Sequence, residues 1–435
     1  MNEHEDRRLR PRRNGGLSLI SLLLLAVIMT ITGFIMGDFS KVPMTLVFLL
    51  TSIVVLFTLR GYTIEERIRI YSRGAGSPDL LLMVWIFVLA GAFAKSAQGM
   101  GAVSATVDLT LMCLPASILL AGLFLAACVV SLCVGTSVGT IVALVPVATE
   151  LADRTGLLLP LIVASVVGGA FFGDNLSFIS DTTVAATRTQ GCSMKDKFKV
   201  NFRIVFPAAL VCFCLYIFMG LQSTATDGLA LNNGLHIARV LPYLVVLISA
   251  LMGCNVLMVL CFGLLLTGVV GLYEGSYTLD TWFVSMSEGV AGMGELILIS
   301  MMAGGLLAVV RKGGGITYLV RSMTRRIHTR RGAECSISAL VALTNCFTAN
   351  NTVAILSVAS ITKDLSARYG VDKRRAASLL DIFSCVMQGI LPYGAQLLMA
   401  GGLALISPLE IIPYLYYPFI LAIAALISIF VVRKK

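Results

Sequence analysis

Apolar residues follow one another along this chain in blocks of about 20, the length an α-helix needs to cross a bilayer. Such blocks lie near 17–37, 42–59, 80–100, 157–187, 203–222, 239–253, 255–273, 292–310, 376–402 and 410–432. Two longer apolar stretches, 112–150 and 334–362, are broken in the middle by small and polar residues. Each reads as a helical hairpin that returns to its own side. The pattern predicts an all-α polytopic membrane protein of ten spans and two re-entrant hairpins.

Composition supports that class: 57% of the 435 residues are hydrophobic and 13% charged. A soluble chain of this length would form two or three domains with a far more charged surface. The net charge of +10 would suit nucleic acid, but its distribution does not. Basic residues sit in short clusters between apolar runs, as the positive-inside rule requires, so the expected partner is the lipid bilayer and no nucleic acid. With the N-terminus cytoplasmic, the loops 1–16, 60–79, 188–203, 311–333, 363–375 and 433–435 carry five, four, five, seven, five and three Lys and Arg. These are 29 of the 33; only Lys41, Lys95, Arg154 and Arg239 fall elsewhere. The count places both termini in the cytoplasm and needs both hairpins to be re-entrant, because a crossing at either would invert everything downstream. The N-terminal RRLRPRR could open a signal or twin-arginine sequence, yet no small-residue cleavage pattern follows Gly37. An uncleaved first span is expected.

The chemistry concentrates in GDNLSFISDTT, Gly173 to Thr183, which puts Asp174 and Asp181 inside an apolar span. A carboxylate at a helix centre costs about 2.5–3.5 kcal/mol on insertion scales, so such groups usually serve ion or proton pathways. A segment this polar must face protein or water. Most of the 11 cysteines lie in apolar runs without a C-x-x-C pairing, which fits small core residues better than a metal or disulfide framework. No HExxH, GxSxG or Walker sequence is present, so an enzyme is not expected. Nor is a resident cofactor.

Five spans and one hairpin occupy 17–222, and the same succession occupies 238–432, between the basic segment 1–16 and the tail 433–435. Landmarks recur near a spacing of 213: Ala90 with Ala303, and CVGTSVGT from Cys133 with CFTANNT from Cys346. GGAFFGDN from Gly168 stands opposite QGILPYGAQ from Gln388. Five crossings is an odd number, so the second copy must run the opposite way. Two inverted-topology repeats with broken helices are the architecture of secondary transporters, with the site at the midplane. Ser137 and Thr140 in GTSVGT, and Asn350, Asn351 and Thr352 in TANNT, mark the hairpin tips. Free carbonyls at half-helix ends suit a bare cation and free N–H groups suit an anion. Close packing of small residues in lipid explains GTSVGT equally well. Adjacent buried amides at 350–351 have less reason to be structural.

At these places the chain resembles a known family. GDNLSFISDTT is similar to the GD-x-x-SP-x-SDTT signature of the NhaC family of Na⁺/H⁺ antiporters, GTSVGT resembles its GTSWGT, and TANNTVAIL its TA(N/D)QY-type segment. Phe178 stands where Pro is usual, Val138 replaces Trp and Asn351 replaces Gln. The resemblance implies a bacterial inner-membrane carrier for Na⁺ and H⁺. Relatives exchange small organic anions such as malate and lactate, which keeps an organic-anion exchanger or symporter open as an alternative; a channel fits paired hairpins less well. Asp174 is the expected charge shared alternately by Na⁺ and H⁺. Asn175, Ser177, Asp181 and Thr182 would supply neighbouring oxygens, with Asp174 and Asp181 as Na⁺ ligands, although Asp181 could instead cap a helix. Asp381 and Lys95 are candidates for a proton pathway, and snorkelling is the cheaper account of Lys95. Oligomerisation is left open.

Overall fold

The computed structural model describes residues 15–36, 42–59, 61–113, 115–178, 180–222, 237–252, 254–324 and 327–431. The basic segment expected at 1–16 lies, except for its last two residues, outside the described residues, as does the tail 433–435. Among the described residues all regular structure is helical. The first half holds α1 (Gly15–Met36), α2 (Met44–Leu56), α3 (Ile64–Ala75), α4 (Pro78–Gly99), α5 (Ala102–Cys113), α6 (Leu119–Val134), α7 (Ser137–Thr155), α8 (Leu159–Leu176), α9 (Asp181–Gln190) and α10 (Met194–Gln222). The second holds α11 (Ile237–Leu251), α12 (Val256–Tyr273), α13 (Leu279–Gly292), α14 (Gly294–Lys312), α15 (Gly315–Thr324), α16 (Arg330–Thr348), α17 (Asn351–Tyr369), α18 (Lys373–Ile390), α19 (Ala395–Ala404), α20 (Pro408–Ile411) and α21 (Tyr416–Phe430).

Among the described residues six stretches are long and apolar enough to cross a membrane: Leu80–Gly99, Leu159–Gln190, Met194–Gln222, Val256–Tyr273, Leu279–Lys312 and Lys373–Ala404. Pro408–Tyr414 with Tyr416–Phe430 makes a seventh if that pair, bent by 52°, counts as one span. Among the described residues, the helices at two of the ten expected spans are short, 13 residues in α2 and 15 in α11. At about 1.5 Å per residue neither reaches across a hydrocarbon core of about 30 Å. An apolar block records composition, whereas helix length also depends on where the backbone breaks; α2 begins only after Pro43. Conversely, α3 fills the expected loop 60–79. Thr63 and Glu66 form a reciprocal capping box at its start, and a helix apolar on one face only leaves no continuous hydrophobic block to read.

Within each of the two stretches expected to form a hairpin, the chain makes two helices with a break between them. The first pair is α6 and α7, turning at Gly135 and Thr136; the second is α16 and α17, turning at Ala349 and Asn350. Gly135 takes φ +74°, a left-handed conformation that costs a glycine little. Ala349 occupies the same region at φ +47° without that freedom.

Burial identifies the centre. In an apolar window of 18 residues, 88% of the residues are buried in Leu159–Gln190 and 89% in Lys373–Ala404, against 39% in Leu80–Gly99. The two broken segments are therefore the core, and the other helices surround them. α6 packs along α8, and α16 along α18. The short pieces beyond the breaks exchange neighbours: α9 lies on α17, and α19 lies on α7. That exchange brings both hairpin tips and both breaks to one place.

Candidate functional site

α8 stops at Leu176 because Ser177 turns extended (φ −65°, ψ 139°), and α9 restarts after an extended Ser180. A helix end inside the protein leaves carbonyls that must find donors. Here the sequence supplies them. Gly173 O accepts the Ser177 amide at 2.7 Å. The Thr182 and Thr183 hydroxyls donate to Asp174 O at 3.3 and 3.5 Å. Asn175 O accepts from Lys197 Nζ and Asn201 Nδ2, each at 2.8 Å. The SDTT element thus satisfies the break it follows.

The Asp174 carboxylate is 5% exposed, and its Oδ1 accepts the backbone N–H of Ser137 at 2.9 Å. Ser137 is the first residue of α7, so the positive end of a helix dipole meets the negative side chain. Gly173 allows this approach, since a Cβ there would overlap Ser131 of α6. Gln396 of α19 donates to Ser137 Oγ at 2.9 Å, and Gln388 of α18 donates to both Gln396 Oε1 and Ala349 O at 3.0 Å. These amides tie one tip to the other.

A cavity of about 330 Å³ opens where the tips meet. Of the expected residues, Asp174, Asp181, Thr182, Ser137, Asn350, Asn351 and Thr352 line it. Asp181 is exposed and opens α9, where a carboxylate also favours the helix start. Asn350 caps α17 by accepting the Val353 amide at 3.0 Å, and Asn351 Nδ2 contacts Cys385 Sγ at 3.5 Å. Asn175, Ser177 and Thr140 are buried but do not line the cavity. Asn175 donates to Phe171 O and Tyr417 Oη, and Thr140 donates to Thr136 O in its own helix. Phe178, exposed at the break, stacks on Phe198 with ring centroids 4.9 Å apart. Lys95 is exposed and lines a separate cavity with Glu150, Asp153 and Glu288.

Asp381 is fully buried, and its Oδ2 pairs with Lys197 Nζ at 2.7 Å. Lys197 was counted with the cytoplasmic loop 188–203, but the helix begins at Met194 and buries it. Asn201, one turn on, donates to the same Asp381 oxygen at 2.8 Å. Lys197, Asn201, Gln388 and Gln396 were not expected at the site. A signal for the first two existed: they fall on the stripe that continues through Ile204, Val205, Ala208 and Cys212, the buried face of α10. Among the described residues no group of three or more His, Cys, Asp or Glu could hold a metal. An alkali ion would draw on hydroxyl, amide and carbonyl oxygens instead.

The model of the Na⁺/H⁺ antiporter family matches residues 15–221 and 234–433. The malate-2H⁺/Na⁺-lactate antiporter of Bacillus subtilis is 21% identical over 70% of this chain and 71% of its own length. The Na⁺/H⁺ antiporter NhaC of the same organism is 23% identical over 82% and 84%. The crystal structure of the Alcanivorax borkumensis YdaH transporter aligns over 96% of this chain and 98% of that one, at 14% identity and a TM-score of 0.43. With apolar helices long enough to span a bilayer and a family match along nearly its whole length, this chain is an integral membrane protein and belongs to the Na⁺/H⁺ antiporter family.

Proposed function

We propose that the protein exchanges Na⁺ for H⁺ by alternating access, with the two cations competing for the Asp174 carboxylate. The observation that carries this reading is a nearly buried carboxylate facing the cavity where both hairpin tips converge. Protonation and cation binding at one carboxylate exclude each other, which couples the fluxes when the empty, charged form crosses slowly. Other oxygens on the cavity's lining, among them those of Thr182, Asn350, Asn351 and Thr352, are hard donors of the kind Na⁺ takes.

Alternating access needs two opposed arrangements, and an inverted repeat supplies them. Supporting that reading, α7 and α17 both have 19 residues, and α17 starts 214 residues later (137 to 351). α8 and α18 both have 18 (159 to 373), and α9 and α19 both have 10 (181 to 395). One hydrogen bond recurs in the same register: Ser131 Oγ donates to Ala170 O, and Asn345 Nδ2 to Ser384 O. By this spacing Gln388 is the counterpart of Asp174, rather than of Gly168 as the letters alone suggest. A charge in one copy faces a neutral amide in the other, so the site holds one titrating group at this position. The same reading has both termini in the cytoplasm, which the charge bias supports, and the carrier in a bacterial inner membrane, which the family membership supports.

The test is proton flux in inside-out vesicles from a host lacking its own antiporters. Added Na⁺ should collapse the pH gradient with wild type and leave it intact with Asp174→Asn. Unchanged exchange in the variant would remove Asp174 from this role. A second reading, exchange of a small organic anion, draws on a specific feature. A cavity of about 570 Å³, lined in part by Arg73, Arg311 and Lys312, shares Met83, Asn350, Val353 and Ala395 with the central one. A response to malate or lactate, absent with Na⁺ alone, would favour it.

A further inference from the structure

Lys197 does more than neutralise Asp381. An ammonium has three N–H donors, and all three are met by oxygen: Asn175 O at 2.8 Å, Thr183 Oγ1 at 2.7 Å and Asp381 Oδ2 at 2.7 Å. These are a half-helix carbonyl, a hydroxyl and a carboxylate. The same set would suit a bare alkali cation, for which carbonyl ends of broken helices are a recurrent site. Further oxygens on the surrounding residues, Asp381 Oδ1, Asn175 Oδ1 and Asn201 Oδ1, are buried and find no donor among the described residues. An ion pair kept only for stability has no need of that surplus, because buried acceptors without donors are costly. None of Lys197, Asn201 and Asp381 lines the central cavity, so this cage is distinct from the Asp174 position.

We propose that Asn175 O, Thr183 Oγ1 and Asp381 form a second monovalent-cation site whose resident cation is the protein's own, the Lys197 ammonium. The tethered charge saturates the cage, keeps the carbonyl end of α8 tied to α10 and α18, and excludes free Na⁺. A side chain of similar reach without charge opens the cage to Na⁺ or Li⁺. The inference deepens the carrier reading, on which it rests for the class of ion, and it adds that only the Asp174 position is free to take cargo.

The test is Na⁺ binding by the purified full-length protein, read with radioactive sodium and by the melting midpoint in NaCl against choline chloride at equal ionic strength. Lys197→Gln and Lys197→Met should gain bound sodium, roughly one ion per chain, and a rise of several degrees in the midpoint with Na⁺. The gain should persist when Asp174→Asn is added and vanish when Asp381→Asn is added. Persistence in the Asp174→Asn background separates this result from the competition proposed for Asp174, which proton flux tests independently. If the Lys197 variants fold only in Na⁺ or Li⁺, the cage takes the free ion. If they are equally stable in both salts and bind no additional sodium, or fold in neither, the proposal is overturned.

Discussion

Thr183 links the Lys197 ammonium to the backbone of Asp174 through one hydroxyl. Its Oγ1 accepts from Lys197 Nζ and reaches Asp174 O. Thr183→Val keeps the volume and removes the oxygen, leaving a buried ammonium short of an acceptor. The expected loss is about 1–3 kcal/mol, read as a lower melting midpoint in detergent, with Thr183→Ser restoring it. The two buried aspartates should differ in the same assay. Asp381→Asn strands a lysine that is 1% exposed, and removing one partner of a buried pair costs about 3–5 kcal/mol. Asp174→Asn removes a charge held in part by one amide N–H. The midpoints should fall in the order wild type, Asp174→Asn, Asp381→Asn, although only Asp174 is assigned to exchange. Equal losses would show that the Lys197 pair carries less of the fold than its burial implies.

The hairpin tips differ in strain at one equivalent position. Gly135 turns the first at φ +74° and Ala349 the second at φ +47°. The left-handed region costs an L-residue about 1–2 kcal/mol, so Gly135→Ala should destabilise by that amount. Ala349→Gly should stabilise by at most about 1 kcal/mol, since added freedom in the unfolded chain offsets part of the relief. Opposite signs of the two midpoint shifts are the check. At the break of α8, Gly173→Ala should cost about 1–3 kcal/mol by overpacking against Ser131. Features of this kind were legible as letters: the GTSVGT and TANNT tips and the GD…SDTT break each carry small or polar residues where an apolar helix must stop. Other parts were hidden for physical reasons. Lys197 and Asp381 are 184 positions apart (197 to 381) and join only through packing. The counterpart proposed for Asp174 was concealed because the two halves share helix lengths and one hydrogen bond more than residue type, so Gln388 emerges only from helix boundaries. Hydropathy could not register α3, whose apolar positions are separated along the sequence by charged ones.

For the whole molecule, the proposed inverted repeat makes a demand that no single element makes. α4 ends at Gly99 and α14 at Lys312, near-equivalent positions in the two copies, so these ends must lie on opposite faces of the membrane. The charge pattern sets which is which: Arg311 and Lys312 belong to the cytoplasmic set, and Lys95 is among the four basic residues outside it. Both Lys95 and Arg311 are exposed. In a background with the 11 native cysteines replaced, Lys95→Cys should react with a membrane-impermeant thiol reagent in intact cells. Arg311→Cys should react only in inside-out vesicles. Reaction of both from one side would mean that the second copy runs parallel to the first. Rocking of one copy against the other would then no longer generate two opposed openings, and the exchange of neighbours by α9 and α19 would be a packing arrangement without a mechanical role.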